Sequence, residues 1–291
     1  MPDTIIIPKQ HRAIIYDQPG TVSTKVVLVD TPEPGLGQVL IRLTHSGVCH
    51  SDYGIMTNSW SYLPDTEKGQ VGGHEGVGTF QEFVLGPANY VTPIPDGLAS
   101  ENAALMLCAG LTIYSAFKCS EAKPGDFVIV SGAGGGLGHV AVQLGSRGLG
   151  FRIIAIDRSS KKELVLKSGA EHFVDMDEFS DDESLVDHFA PPTYETELLM
   201  LRPNGALVCV GVPEGEMQAI ASAKPAVIIF KQLKIIGSAV GTREEAMKTL
   251  DFAARGIIDP HVTVAKMEDL TDIFHKMHGG GLKGLIVIDM S

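Results

Sequence analysis

The sequence predicts an α/β protein, with a mostly β region first and a doubly wound parallel sheet after it. Three observations carry that prediction. The first 100 residues are rich in Gly, Pro and short β-branched runs. From Lys123 onward, apolar strands alternate with helical segments. Between the first of those strands and the helix after it lies a turn made almost wholly of glycine.

The elements follow in order. Arg12–Tyr16, Lys25–Val29 and Val39–Leu43 read as strands, separated by turn signals at Gln18-Pro19-Gly20 and Pro34-Gly35. Pro124-Gly125-Asp126 is a turn, and Phe127-Val128-Ile129-Val130 is a continuous apolar run, the pattern of a strand buried on both faces. A helix with apolar positions at Val140, Val142 and Leu144 comes next. It is followed by a strand (Ile153–Ile156), a helix (Lys161–Ser168) and a short strand (His172–Val174). Further strands are expected at Ala206–Gly211 and Lys234–Gly237, and the tail from Arg243 reads helix, short strand, helix, strand. One stretch breaks the alternation. A helix over Asp182–His188 leads through Ala190-Pro191-Pro192 into a helix over Tyr194–Leu201, with no strand between them. Proline cannot sit in an interior strand, so the parallel sheet is expected to lack a strand there.

Bulk properties narrow the function. The chain has 291 residues, enough for a packed core, and is 44% hydrophobic and 20% charged, as soluble globular proteins are. A net charge of -12 repels phosphate backbones and anionic lipid, so neither nucleic acid nor membrane is an expected partner. The N-terminus has only three apolar residues in a row, too few for a signal peptide, and no later run is expected to reach the length of a membrane span. A cytoplasmic protein is expected. Its four cysteines (Cys49, Cys108, Cys119, Cys209) lie far apart and read as buried thiols or metal ligands rather than a disulfide frame.

The glycine turn, Gly132 to Gly138, can be framed as Ala133-x-Gly135-x-x-Gly138, with alanine at the first position of a dinucleotide fingerprint. Glycines let the backbone approach a pyrophosphate, and the helix start supplies N–H groups. Asp157 ends the second strand, nineteen residues after Gly138. An acid there can accept from both ribose hydroxyls and repels a 2′-phosphate, which points to NAD over NADP. Arg158, next in sequence, leaves room for NADP. The glycines alone would equally describe an ordinary turn with a surface acid nearby.

Three clusters suggest a metal: Gly47-Val48-Cys49-His50-Ser51-Asp52, Gly72-Gly73-His74-Glu75-Gly76 and Leu107-Cys108-Ala109-Gly110. One His and two Cys from separated loops give zinc three ligands and an open fourth position, a catalytic rather than a structural arrangement. Such an ion acts as a Lewis acid on an alcohol or carbonyl oxygen. Ser51 can then carry the released proton, Asp52 can orient His74, and Glu75 can support the site or ligate. Taken singly, Cys108 reads as a core thiol in an apolar helix start, and a Cys-His pair is usually silent.

Together the clusters resemble the zinc-containing medium-chain alcohol dehydrogenases, in their fungal and yeast branch, which includes members associated with polyketide secondary metabolism. GVCHSD, VGGHEGVG, LCAG, SGAGGGLG, AID and GSAVGTREEAMKTLDFAARG carry the likeness, which covers nearly the whole chain. The resemblance implies a GroES-like catalytic domain over 1–118, completed by 243–291, and a Rossmann NAD-binding domain over 119–242. It implies one catalytic zinc on Cys49, His74 and Cys108, with Glu75 beside them, and Ser51 as the relay hydroxyl. It also implies that His50, Gly135, Gly136, Leu137, Gly138, Asp157 and Lys161 contact NAD and that Val210, Ser238 and Val240 line its nicotinamide end. The substrate implied is a small alcohol, aldehyde or ketone, and the assembly a homodimer or homotetramer. Where this family continues past Gly78 into a lobe with a structural zinc, the chain passes straight to Thr79–Phe83, so no structural zinc is expected. The absent strand near Ala190–Thr193 is the second departure. Gly54 stands where a yeast-type relay ends in His, and Leu285 where an Arg meets the pyrophosphate. A catalytically impaired relative that binds zinc, NAD or a partner is the second reading. A zinc-free reductase on the same fold is the third, and the Cys49, His74, Cys108 set argues against it.

Overall fold

The computed structural model describes residues 6–74, 78–178, 197–212, 214–215, 219–278, 282 and 284–291. The chain forms two compact units. The first comprises Met1–Ile94, Ala99–Leu105 and Val262–Ser291, and the second Pro95–Leu98 and Met106–His261.

The first unit is built from short antiparallel ladders. Strand β1 (Gln10–Tyr16) pairs with β2 (Thr24–Asp30), and β3 (Gln38–Arg42) pairs with β5 (Phe83–Pro87). Strand β4 (His45–Val48) lies antiparallel to β12 (Leu285–Asp289), which runs parallel to β11 (Val262–Lys266). Helix α1 (His50–Met56) follows β4 after a single residue. A core of Ile14, Tyr16, Val48, Phe80, Phe274 and Ile288 fills the space between them. The last helix, α9 (Leu270–His278), buries Leu270, Ile273 and Phe274, the i, i+3, i+4 stripe of an amphipathic helix. Leu285, expected near a pyrophosphate on family grounds only if it were Arg, is buried at the start of β12.

In the second unit, β6 (Phe127–Ser131), β7 (Arg152–Asp157) and β8 (His172–Asp175) form a parallel sheet in that order. Helices α4 (Gly136–Gln143) and α5 (Lys162–Ser168) make the crossovers between them. Strands β9 (Ala206–Cys209) and β10 (Lys234–Gly237) form a separate parallel pair, flanked by α6 (Glu197–Met200) and α7 (Pro225–Lys231). Helix α8 (Arg243–Ala254) closes the unit, begun by a capping box in which Thr242 and Glu245 satisfy each other's backbone N–H groups. The parallel sheet is therefore divided among the described residues. The expected helix at 182–188 and the Pro-Pro link at 190–193 lie outside them.

Two expectations need correction. The apolar run of β6 is not buried on both faces: only Val130 is buried and Phe127 is 50% exposed. The reason is topological. The strand pairs with β7 on one side and with no described strand on the other, and the Arg152 guanidinium lies over the Phe127 ring instead, 4.0 Å from its centroid. The second correction concerns length. The helical stretch Ser100–Ser120 is 21 residues with a mean hydropathy of 1.4, long and apolar enough to cross a membrane. Half of it is buried inside the protein, which accounts for its apolar composition as that of a core helix.

Candidate metal centre and dinucleotide turn

Each proposed zinc ligand is placed by a different local device. Cys49 follows the end of β4 and is the N-cap of α1, with extended backbone angles. Its N–H donates to Asp52 Oδ2 at 3.0 Å, so Asp52 closes the first turn. His74 stands at the end of the loop Gly72-Gly73. Tyr16 packs so closely on Gly72 that a Cβ there would lie 2.7 Å from its ring. Gly73 has φ +94°, and a Cβ would meet Thr79 Oγ1 at 2.5 Å, so no other residue turns the chain there without strain. Cys108 sits on a π-helical turn, Met106–Gly110, between α2 (Ser100–Leu105) and α3 (Leu111–Ser120). Helix α2 packs on β4, and such π turns recur at functional sites.

One donor atom from each of Cys49, His74 and Cys108 lies within 4.8 Å of the other two. His74 Nδ1 is hydrogen-bonded to Asp52 Oδ1 at 2.9 Å, which leaves Nε2 as the ring nitrogen for a metal. Burial works to lower the His74 pKa. The Asp52 and Cys49 hydrogen bonds and charges override it and push it up to about 11, so a metal must displace a proton. Asp52 is almost wholly buried; burial pushes its carboxyl up, against the pull of His74. Two thiols and an imidazole at this spacing suit zinc with one position left for substrate. The Cys49 thiol also donates to Ser51 Oγ at 3.7 Å. Glu75 lies outside the described residues. Cys49, Cys108 and Cys209 are partly buried, whereas Cys119 is exposed on α3 rather than buried, because it faces away from the helix core.

Gly54, on α1, has the Trp60 ring 2.9 Å from where its Cβ would be. Histidine does not fit there without displacing Trp60, which stacks beside Tyr62 with centroids 6.5 Å apart. His50 is exposed, its ring 5.5 Å from that of Tyr53.

The glycine turn has the close packing its fingerprint demands. A Cβ on Gly138 would fall 2.0 Å from the Gly132 carbonyl oxygen, so helix α4 can approach β6 only through glycine. Ala133, at the alanine-bearing position, is fully buried. Gly135 caps α4, and Gly136 and Leu137 form its first turn. Asp157, at the end of β7, is 6% exposed. Its oxygens already accept from the Gly134 and Arg158 N–H groups at 2.7 and 2.8 Å, which points the carboxylate at the turn. The Lys161 stem crosses the same turn, 2.6 Å from where a Gly134 Cβ would be.

Beyond β9 and β10 lie Val210, Ser238 and Val240. Ser238 Oγ is buried with no hydrogen-bond partner among the described residues. A buried hydroxyl left so is costly unless a ligand completes it. Val240 has φ +45°, a strained conformation for a β-branched residue of the kind found at ligand clamps. Neither feature was visible in the sequence, since backbone angles and unmet hydrogen bonds leave no residue signature.

The zinc-binding dehydrogenase family matches residues 136–255. The chain is similar to alcohol dehydrogenase 2 of Emericella nidulans, with 47% identity over 362 aligned positions that take in 98% of this chain and 99% of that protein. It is also 30% identical to the alcohol dehydrogenase of Schizosaccharomyces pombe, over 97% and 98% of the two chains. Since both ends align and this chain has 291 residues, the shortfall is internal. Among solved structures it shares its fold with acetophenone reductase from Geotrichum candidum in complex with NAD, at TM-score 0.79, 22% identity and 98% coverage of both chains. It shares it too with the Aeropyrum pernix alcohol dehydrogenase, at TM-score 0.77, 22% identity, and 96% and 99% coverage.

Proposed function

The chain belongs to the zinc-binding alcohol dehydrogenases, and from that membership we propose a single-zinc enzyme that oxidises a small alcohol, or reduces the matching aldehyde or ketone, with NAD. The observation that supports it is the convergence of Cys49, His74 and Cys108, with His74 Nδ1 already held by Asp52. Zinc on these three ligands supplies Lewis acidity toward the substrate oxygen. Nicotinamide supplies the hydride acceptor or donor.

The chain's own residues do the rest. Asp52 fixes the imidazole tautomer, so that Nε2 is the nitrogen left for the metal. Ser51 Oγ, beside Cys49, is the hydroxyl that passes the alcohol proton outward. Glu75 is the further carboxylate of this loop. His50, Gly135, Gly136, Leu137, Gly138 and Lys161 hold the cofactor's phosphates, and Asp157 its ribose. Val210, Ser238 and Val240 line the nicotinamide, where Ser238 Oγ lacks a partner. No structural zinc is held. We place the enzyme in the cytoplasm as a homo-oligomer. The apolar Ile229, Phe230 and Ile235, 69%, 85% and 40% exposed, support a protein surface as partner. Two domains are kept in this reading, but the compact units shift the expected boundaries of 1–118 with 243–291 and 119–242: 106–118 and 243–261 lie in the second unit.

The test is zinc quantification beside an NAD-reduction assay over a panel of primary and secondary alcohols. One zinc per chain and turnover of at least one alcohol are expected, with zinc and turnover both lost in Cys108→Ser. Two zincs per chain, or stoichiometric zinc in the variant, would overturn the ligand set. The divided parallel sheet favours a second reading, an impaired enzyme that retains its ligands. Full zinc and NADH binding without turnover of any alcohol would select it.

A further inference from the structure

His139 is fully buried one residue after the glycine turn, and the established chemistry gives it no role. Its two ring nitrogens face groups of opposite kind. Nδ1 lies 2.9 Å from the Gly135 carbonyl oxygen and must donate to it. Nε2 lies 3.1 Å from the His261 backbone nitrogen and must accept its N–H. Only the neutral ring with its proton on Nδ1 satisfies both, and burial holds the His139 pKa below the ordinary imidazole range. The same helix face carries Gln143 four residues on. Its amide takes both backbone groups of Asp259, accepting the N–H at 2.6 Å and donating to the carbonyl at 2.9 Å. Helix α4 thus clasps the chain at 259–261 through two side chains one turn apart.

The consequence falls on the turn. The Gly135 carbonyl receives both the backbone N–H of His139, at 3.1 Å, and its Nδ1–H. In a trans peptide the C=O and the following N–H point opposite ways. A carbonyl held down the helix therefore turns the Gly136 N–H toward the open N-terminal end, where a pyrophosphate binds. We propose that His139 is a positioning residue for the dinucleotide site, fixing the 135–136 peptide in the orientation that receives a phosphate and anchoring that orientation to residue 261. The inference rests on the reading of this turn as an NAD site.

The experiment measures NADH affinity by nicotinamide fluorescence, with steady-state kinetics and zinc content, in the full-length protein. His139→Phe keeps ring volume and removes both bonds. It is expected to raise the Kd for NADH roughly tenfold, the worth of about one to two hydrogen bonds. The KM for NAD should rise with it, while zinc content and kcat at saturating NAD stay within twofold. His139→Met removes the same bonds with an adaptable side chain and carries the comparison where the phenylalanine variant does not fold. His139→Gln, which keeps a donor for Gly135, should recover most of the affinity. A Kd within twofold of the unmutated protein in a folded Phe or Met variant would overturn the proposal, as would failure of Gln to recover any affinity. No NADH binding by the unmutated protein would instead bring down the NAD reading itself.

Discussion

The two units are built from different kinds of ladder, and their structures differ accordingly. In the first, the chain runs from Gly78 to β5 in a few residues. That short segment is held on both sides. Ile14 N–H donates to the Phe80 carbonyl, Phe80 N–H to Gly72 and Glu82 N–H to Arg12, and Ser46 Oγ donates to Thr79 Oγ1 in a buried contact of 2.9 Å. Antiparallel neighbours accept a short connection, so the ligand loops on either side keep their supports. The second unit is built on parallel strands. Parallel partners are set by long crossovers, and a strand removed between two of them leaves two ladders rather than one closed seam. Among the described residues the parallel strands form two ladders, β6-β7-β8 and β9-β10.

The sharpest way to probe the intact side of this comparison is Asp52→Asn. Asn keeps the size and can still accept from Cys49, but it cannot present a carboxylate to His74 Nδ1–H. Loss of such a partner lowers zinc affinity by about 10- to 100-fold. Competition with a chelator of known affinity measures it, and the same affinity as the unmutated protein would mean that Asp52 does not orient the ligand. A smaller effect is expected on the divided side. Asp157→Ser removes the charge that repels a 2′-phosphate, so the preference for NAD over NADP should narrow by about tenfold, from roughly 1.4 kcal/mol of lost repulsion. Parallel titrations with NADH and NADPH decide it. Equal binding of both by the unmutated protein would remove Asp157 as the selector.

Much of this was legible in the residues because it depends on local chemistry. Val48-Cys49-His50-Ser51-Asp52 carries a candidate ligand, a cap and a carboxylate within one helical turn, and the cap and His74 contacts both follow from that spacing. The strands flanking the glycine turn are visible from their continuous apolar runs, whereas the Ala190-Pro191-Pro192 link lies outside the described residues. What was not legible depends on tertiary contacts. The burial of β6 was overestimated because an apolar run reports the strand's composition and not its neighbours. The core helix Ser100–Ser120 hid its length because Ser, Glu and Asn begin it and Lys118 interrupts its end. His139 and Gln143 read as ordinary helix positions, and their partners at 259–261 lie more than a hundred residues away.

Thermal unfolding bears most directly on the divided sheet. Strand β6 offers one edge to β7 and has Phe127 half exposed, so the second unit is expected to be the less stable of the two. A ligand bound only by the folded form adds RT ln(1 + [L]/Kd), about 2.7 kcal/mol at a hundredfold excess over Kd. For a unit of this size that raises the melting midpoint by about 5 to 10 °C. Two units need not melt together, so a calorimetric scan should resolve two transitions or one broad one. Millimolar NAD should move the lower transition upward. A single sharp transition at high temperature that NAD leaves in place would show that the divided sheet costs nothing and that the glycine turn holds no NAD.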